Sequence, residues 1–269
     1  MAVARQTCLR FRDSGSAPSG LSAVCRDGLW LWVAGDEAPQ LERLAESPDG
    51  ASYADARSFR LGDVLDLPEG PDEEVDVEGL DRSSDHLWLV GSYSRTRREV
   101  RSKDTEAEAV DRLATVRSHA NRHVLARLPL AEGRDGAVPV RSTTGADGVE
   151  RAAALLDGGV GGLADQLSLD QHLAPFLAIP SKDNGLDVEG IVALGDTVLL
   201  GLRGPVLRGW AVVLAPPSPR RARAVGPADA RVRPAGPPDV LPGPGRAGGP
   251  RSLPRRRRHH RAGRSDDGP

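Results

Sequence analysis

The stretch Asp76-Val77-Glu78-Gly79-Leu80 recurs as Asp187-Val188-Glu189-Gly190-Ile191. In each copy another aspartate, Asp85 or Asp196, follows nine residues after the first. An apolar run comes next, Leu87-Trp88-Leu89-Val90 or Val198-Leu199-Leu200, and stops at Gly91 or Gly201. A repeated strand-turn-strand unit constrains the chain more than its composition does. One such unit cannot bury its own apolar face, so copies must stack, as they do in radial and solenoid β architectures. The repeat also sets the same acidic pair at two equivalent places.

A third, degenerate copy lies near the N-terminus. Gly20-Leu21-Ser22-Ala23-Val24 leads through Asp27-Gly28 to Leu29-Trp30-Leu31-Trp32-Val33 and Gly35, without the Asp-x-Glu. Alternating apolar residues predict strands, and the Asp-Gly and Gly-Asp pairs predict hairpin turns. Aligning Gly20, Gly79 and Gly190 gives one interval that fits a propeller blade with a loop, at roughly 40–50 residues per blade, and a second that fits about two. Further strands are expected at Cys8 to Arg12, Ser58 to Leu61 and Asn121 to Leu130. Two helical excursions are expected. One lies between Arg95 and His119, with Ala109, Val110, Leu113 and Val116 on one face. The other spans about Gly148 to Leu177, including Ala152 to Leu156 and Leu163 to Leu167.

Only 39% of the 269 residues are apolar and 3% aromatic, so the core must be aliphatic. Cys8 and Cys25 are too few for a disulfide framework and are expected to be small buried thiols. Neither a secretory h-region nor an apolar run near the roughly 20 residues of a membrane span is present. A cytoplasmic protein without a membrane partner is the expectation.

The net charge of −2 conceals an asymmetry: residues 216–269 carry 13 Arg and 4 Asp, a surplus of +9, leaving −11 on residues 1–215. In that last stretch Pro, Arg, Gly and Ala supply 40 of 54 positions, and aromatic residues are absent. Such a segment buries too little apolar area to offset chain entropy and is expected to be disordered. Two readings stay open. It is either a basic arm that would bind nucleic acid, or out-of-frame translation of a GC-rich gene, since these four amino acids have codons beginning with two G or C bases. The change of character in mid-strand at Val213-Leu214 favours the second.

Several segments together carry a family resemblance: Glu74 to Leu80, Leu87 to Ser92, Asn121-Arg122, Asp183 to Gly190, and Leu200-Gly201-Leu202-Arg203-Gly204-Pro205-Val206-Leu207-Arg208-Gly209-Trp210. From Leu21 to Leu214 the chain resembles the bacterial domain-of-unknown-function family 3616. The resemblance implies a propeller-like fold and no particular activity. It also implies further strands after Trp210, where this chain instead enters its Pro/Arg/Gly/Ala-rich segment. The expected fold is therefore all-β: a truncated, β-propeller-like domain over 1–215 with two helical excursions, then a disordered tail over 216–269.

In a propeller, equivalent positions at the start of each inner strand converge on the axis. Residues i and i+2 of an extended segment point the same way. Asp76 with Glu78 and Asp187 with Glu189 then form two converging carboxylate pairs, which repel unless a cation or proton intervenes. Hard oxygen ligands suit Ca²⁺ or Mg²⁺. The bland alternative has the aspartates capping turns and the glutamates paired with arginines. Arg203 and Arg208 flank Gly204-Pro205, and Lys182 precedes the last repeat. A guanidinium fork holds phosphate or carboxylate on two bonds. Equally, Arg203 could neutralise Glu189. The four histidines outside the tail have no ligand spacing, and neither a nucleophile elbow nor a phosphate loop is present. Three functional classes follow: binding of a small anionic molecule at the channel mouth, divalent-metal-dependent hydrolysis of phosphoesters, esters or lactones, and a passive interaction scaffold.

Overall fold

A computed structural model describes residues 6–11, 20–36, 38–156 and 162–216. Strands dominate. The first sheet holds β1 (Cys8–Leu9), β2 (Leu21–Asp27), β3 (Trp30–Gly35), β4 (Gln40–Glu46) and β5 (Ser52–Arg60), ordered β1-β5-β4-β3-β2. All its pairs are antiparallel except β1 with β5. In the second sheet β6 (Val77–Ser83) pairs with β7 (His86–Gly91). Next come β8 (Arg95–Arg97), α1 (Glu106–Ala114) and β9 (Val116–Ser118), a short hairpin with a helix inserted in it. The second sheet resumes with β10 (Leu125–Gly133) and β11 (Gly136–Pro139). A small hairpin, β12 (Ser142–Thr144) with β13 (Glu150–Ala152), precedes β14 (Ala154–Leu155), which pairs with β10. After α2 (Leu163–Leu169), the third sheet is β15 (Asp187–Leu194), β16 (Thr197–Gly204) and β17 (Val213–Leu214).

Strand β6 lies between β2 and β15, so the leading strands of the three sheets pack side by side. One aliphatic core fills the space between the first two sheets, around Trp32, Leu41, Leu87 and Leu128. A second fills the space between the second and third, around Trp88, Val90, Val188 and Leu200. Trp32 and Trp88 are almost completely buried, which for rings of this size is each worth several kcal/mol of burial, about 25 cal/mol per Å².

The three leading hairpins share one geometry. Each turns through two residues, the first with positive φ: Gly28 at 60°, Ser84 at 52°, Gly195 at 66°. Positive φ at the first central residue matches the II′ turn, whose twist suits flanking strands. Each hairpin also carries an irregularity at the same place: between Leu21 and Ala23, Val77 and Gly79, Val188 and Gly190. This bulge re-aims the residue inside it, and that residue is Ser22, Glu78 or Glu189.

Register corrects the alignment made on glycines. Ala23, Gly79 and Gly190 are equivalent, facing Ala34, Val90 and Gly201. Gly20 is therefore the counterpart of Asp76 and Asp187, and Gly91 of Leu202. The helices are also shorter than expected. Ala154–Leu155 is strand, because its backbone pairs with β10. Val116 belongs to β9 and lies outside the helix. Helix α1 starts on a full capping box, Thr105 with Glu108, and buries no residue; Val110 and Leu113 stay exposed. Cys25 is buried, whereas Cys8 is exposed, on a two-residue edge strand. Arg12 and the residues 217–269 lie outside the described residues, and with them the expectations for the end of the first strand and for the tail. Among the described residues no helix is long and apolar enough to cross a membrane.

Candidate functional site

Where β6 and β15 begin, their backbones almost touch. A Cβ on Gly79 would come 3.0 Å from Gly190 Cα and 2.8 Å from Ile191 N. Only glycine permits that approach, and it sets the preceding bulge residues, Glu78 and Glu189, beside one another. The end of β7 stitches the two strands: Val188 N donates to Ser92 O at 2.8 Å, and Ser92 N donates to Asp76 O at 3.1 Å.

The first hairpin contributes in a different way. Its Gly20 takes the place held by Asp76 and Asp187, and a Cβ there would overlap the Asp36 carboxylate. Asp36, just past β3, thus reaches the spot that the other hairpins fill from their leading strands. Ser22, the bulge residue, donates from Oγ to Val77 O at 2.5 Å. Asp36, Asp76, Glu78, Asp187 and Glu189 form one acidic rim.

Two arginines answer it. Arg122, in the turn before β10, donates to Asp76 Oδ2 at 2.7 Å and to Glu74 Oε1 at 2.8 Å. Arg203, near the end of β16, contacts the buried Asp187 carboxylate and lies 2.7 Å from Glu189 Oε1. Burial, foremost, still lifts Asp76 above the ordinary carboxylate range, against the Ser92 hydroxyl and Arg122. Burial also pushes Asp187 up to about 6, against Arg203 and helped by Glu189 and Asp76. Glu78 is pushed furthest, to about 8, by burial and then by Asp76, Glu189, Asp187 and Asp36. No ion pair reaches Glu78 among the described residues, so the proton itself neutralises it near pH 7.

The oxygen-rich donor set is the right chemistry for Ca²⁺ or Mg²⁺. Among the described residues no three His, Cys, Asp or Glu side chains are placed to hold one ion, and Asp76 and Asp187 are already engaged by Arg122 and Arg203.

Beside the rim lies an open cleft of about 410 Å³, lined by Ser181, Lys182, Asn184, Arg203 and Gly204. Its floor depends on glycine. A Cβ on Gly204 would overlap Gly185 O, and one on Gly185 would overlap Ile179 O. The one-turn helix Ser181–Asp183 ends on Asn184 at φ 67°, a left-handed conformation that asparagine tolerates. Asn184 Oδ1 accepts from Val206 N at 2.9 Å, and Arg97 fixes the turn through Asp183 at 2.6 Å. Of the three cations expected to bind an anion, Lys182 and Arg203 share this cleft. Arg208 does not line it; it is exposed at φ 51° in the turn closed by the Leu207–Trp210 bridge.

Sequence reasoning missed Asp36, Ser22, Ser181 and Asn184, and it gave Arg122 no role. No local sequence signal marks Arg122: the need for a cation comes from the burial of Asp76, and Arg203 meets the same need in the third hairpin.

A family model described as "Protein of unknown function (DUF3616)" matches residues 20–218. Among curated proteins no relative matches.

Proposed function

Since the chain belongs to the DUF3616 family, which carries no assigned activity, we propose from its own geometry that it binds a small phosphorylated or carboxylated molecule in the cleft beside β16. The observation that carries this reading is the joint presence of Lys182 and Arg203 on one open cleft, with a hydroxyl from Ser181 and an amide from Asn184. Arg203 is held along one side by Asp187 and Glu189 while more than half its side chain is exposed. A guanidinium has five N–H donors, so donors remain for a ligand, and the fork is oriented in advance. The reading includes the scaffold: a β-propeller-like array in which three hairpins of one design set their bulge residues at a shared mouth. Its support is the common register of the hairpins.

Calorimetric titration with inorganic phosphate, pyrophosphate and citrate tests it. Binding of at least one, weakened about tenfold or more by Lys182→Ala and by Arg203→Ala, is the expected result; tenfold is about 1.4 kcal/mol. Binding indifferent to both substitutions would overturn it.

A second reading places a hydrolase at the acidic rim, with a divalent cation drawn in by the carboxylates. The observation favouring it is Glu78, whose weakened acidity at about 8 suits proton transfer near neutral pH. It requires Arg122 and Arg203 to give way to the ion. Turnover of phosphoester, ester or lactone substrates that depends on added Ca²⁺ or Mg²⁺ and is lost in Glu78→Gln would establish it. If neither ligand nor turnover is found, a passive scaffold is what the fold supplies.

A further inference from the structure

Among the described residues Trp210 is the one exposed aromatic side chain, at 44%, whereas Trp32 and Trp88 are almost completely buried. Tryptophan is on average a highly buried residue, and the loop that holds this one in water is tightly built. Arg208 and Gly209, at φ 51° and 85°, form a two-residue turn between Leu207 and Trp210. Positive φ at both central positions is the mark of a I′ turn, and Trp210 N donates to Leu207 O at 3.1 Å. Leu207 packs on the second core, and Pro205 is buried. Asn184 Oδ1 accepts from Val206 N at 2.9 Å. Two apolar side chains of this anchored loop nonetheless stay exposed, Trp210 and Val206, the latter at 55%.

The loop rises from the anion cleft. It leaves the cleft wall at Gly204 and is pinned by Asn184, which lines the cleft as well. Its return path runs back beside Arg203, since Leu202 N donates to Val212 O at 3.1 Å. The described lining of the cleft is polar, Ser181, Lys182, Asn184, Arg203 and Gly204, and suits only the anionic end of a ligand. The rest of such a ligand extends out of the open cleft, and the loop supplies exposed apolar surface at its edge. An indole offers a flat π face to a planar ring, and base–aromatic stacking contributes about tenfold or more in affinity. Arg208, beside it in the turn, offers guanidinium donors to the edge of a base. We infer that the ligand is a nucleotide, its phosphate on Lys182 and Arg203 and its base on Trp210. The inference rests on the anion-binding reading of the cleft and adds to it a class of ligand and a specificity-determining residue.

Calorimetric titration of the full chain with inorganic phosphate, ribose 5-phosphate, glucose 6-phosphate, adenosine 5′-monophosphate and uridine 5′-monophosphate tests this. At least one of the two nucleotides should bind about tenfold or more tighter than ribose 5-phosphate. Trp210→Ala should remove that margin and leave the affinity for inorganic phosphate where it was. Trp210→Phe, which keeps an aromatic ring, should retain most of the margin, and Trp210→Leu, apolar without a π face, should lose it. That pair decides the matter should Trp210→Ala lose its circular dichroism. Three results overturn the inference and leave the anion site standing: neither nucleotide binding tighter than ribose 5-phosphate, a margin that survives in Trp210→Leu, or a preference for glucose 6-phosphate over both nucleotides. If none of these ligands binds, the anion-binding reading falls together with the inference.

Discussion

Arg203 Nη1 stands 2.7 Å from Glu189 Oε1 while the other arm of the same guanidinium reaches Asp187, a residue 1% exposed. One side chain thus neutralises the deepest carboxylate of the rim and still forms a wall of the neighbouring cleft. The two roles compete for the same donors, and several outcomes follow from that.

Removing the guanidinium leaves Asp187 buried without a cation. Arg203→Ala should lower stability by about 1–3 kcal/mol, less than a fully buried pair would lose, because the arginine is half in water. Arg203→Lys should recover part of the stability and little of the anion affinity, since an ammonium cannot supply the fork. Urea denaturation midpoints beside phosphate titrations give both numbers; equal loss in the two variants would argue against a fork.

The proton on Glu78 sets a pH dependence. Its folded pKa of about 8 stands above the ordinary carboxylate value of 4.5, so between these values the folded chain holds a proton that the unfolded chain has lost. Stability from this group is full below about pH 4.5, falls as pH rises through that window and levels off above 8. With solvent screening allowed for, Glu78→Gln should make the chain about 1–2 kcal/mol more stable than the native one at pH 9 and flatten the decline. Thermal melts from pH 5 to 9 check this; parallel curves for both proteins would show that Glu78 titrates normally.

Divalent ions separate the two functional readings. If Arg122 and Arg203 occupy the aspartates, millimolar Ca²⁺ or Mg²⁺ should leave the melting temperature of the native chain unchanged and raise that of Arg203→Ala, whose Asp187 and Glu189 are then free to bind. A rise in the native chain at micromolar ion would favour the hydrolase reading.

The cleft rests on backbone contact between Gly185, Gly204 and Ile179. Gly185→Ala puts a methyl group against a carbonyl that cannot retreat. About 2–4 kcal/mol of destabilisation is expected, with loss of anion binding. Gly190→Ala, whose Cβ would meet nothing within 4 Å, is the matched control and should stay within about 1 kcal/mol of the native chain.

Arg43 is a structural counterpart to Arg203. It is buried, stacks 4.2 Å over Trp30, and donates to the Ala137 and Asp135 carbonyls across the first inter-sheet gap. Arg43→Ala should cost about 3 kcal/mol, since two carbonyls and three aromatic rings, Trp30, Trp32 and Phe59, lose their partner. A loss below about 1 kcal/mol, measured by denaturation, would mean that water replaces it.

The sequence by itself determined the hairpins. A two-residue turn needing positive φ and an alternating apolar pattern are local demands, readable at Gly28, Gly195 and the flanking strands. Repetition also singles out Asp76, Glu78, Asp187 and Glu189 without any knowledge of their surroundings. It misplaced the first copy because a glycine, Gly20, stands there in the place of Asp76 and Asp187, while the counterpart of Gly79 and Gly190 is Ala23. Tertiary structure alone decided the charge partners. Arg122 lies 46 positions from Asp76, and Asp36 enters the rim only because Gly20 leaves room for it. It also decided exposure: Val24, Leu80 and Ile191 are interchangeable as aliphatic residues of a strand, yet among the described residues only Leu80 and Ile191 have a preceding hairpin to pack against, which makes them core and leaves Val24 at the surface.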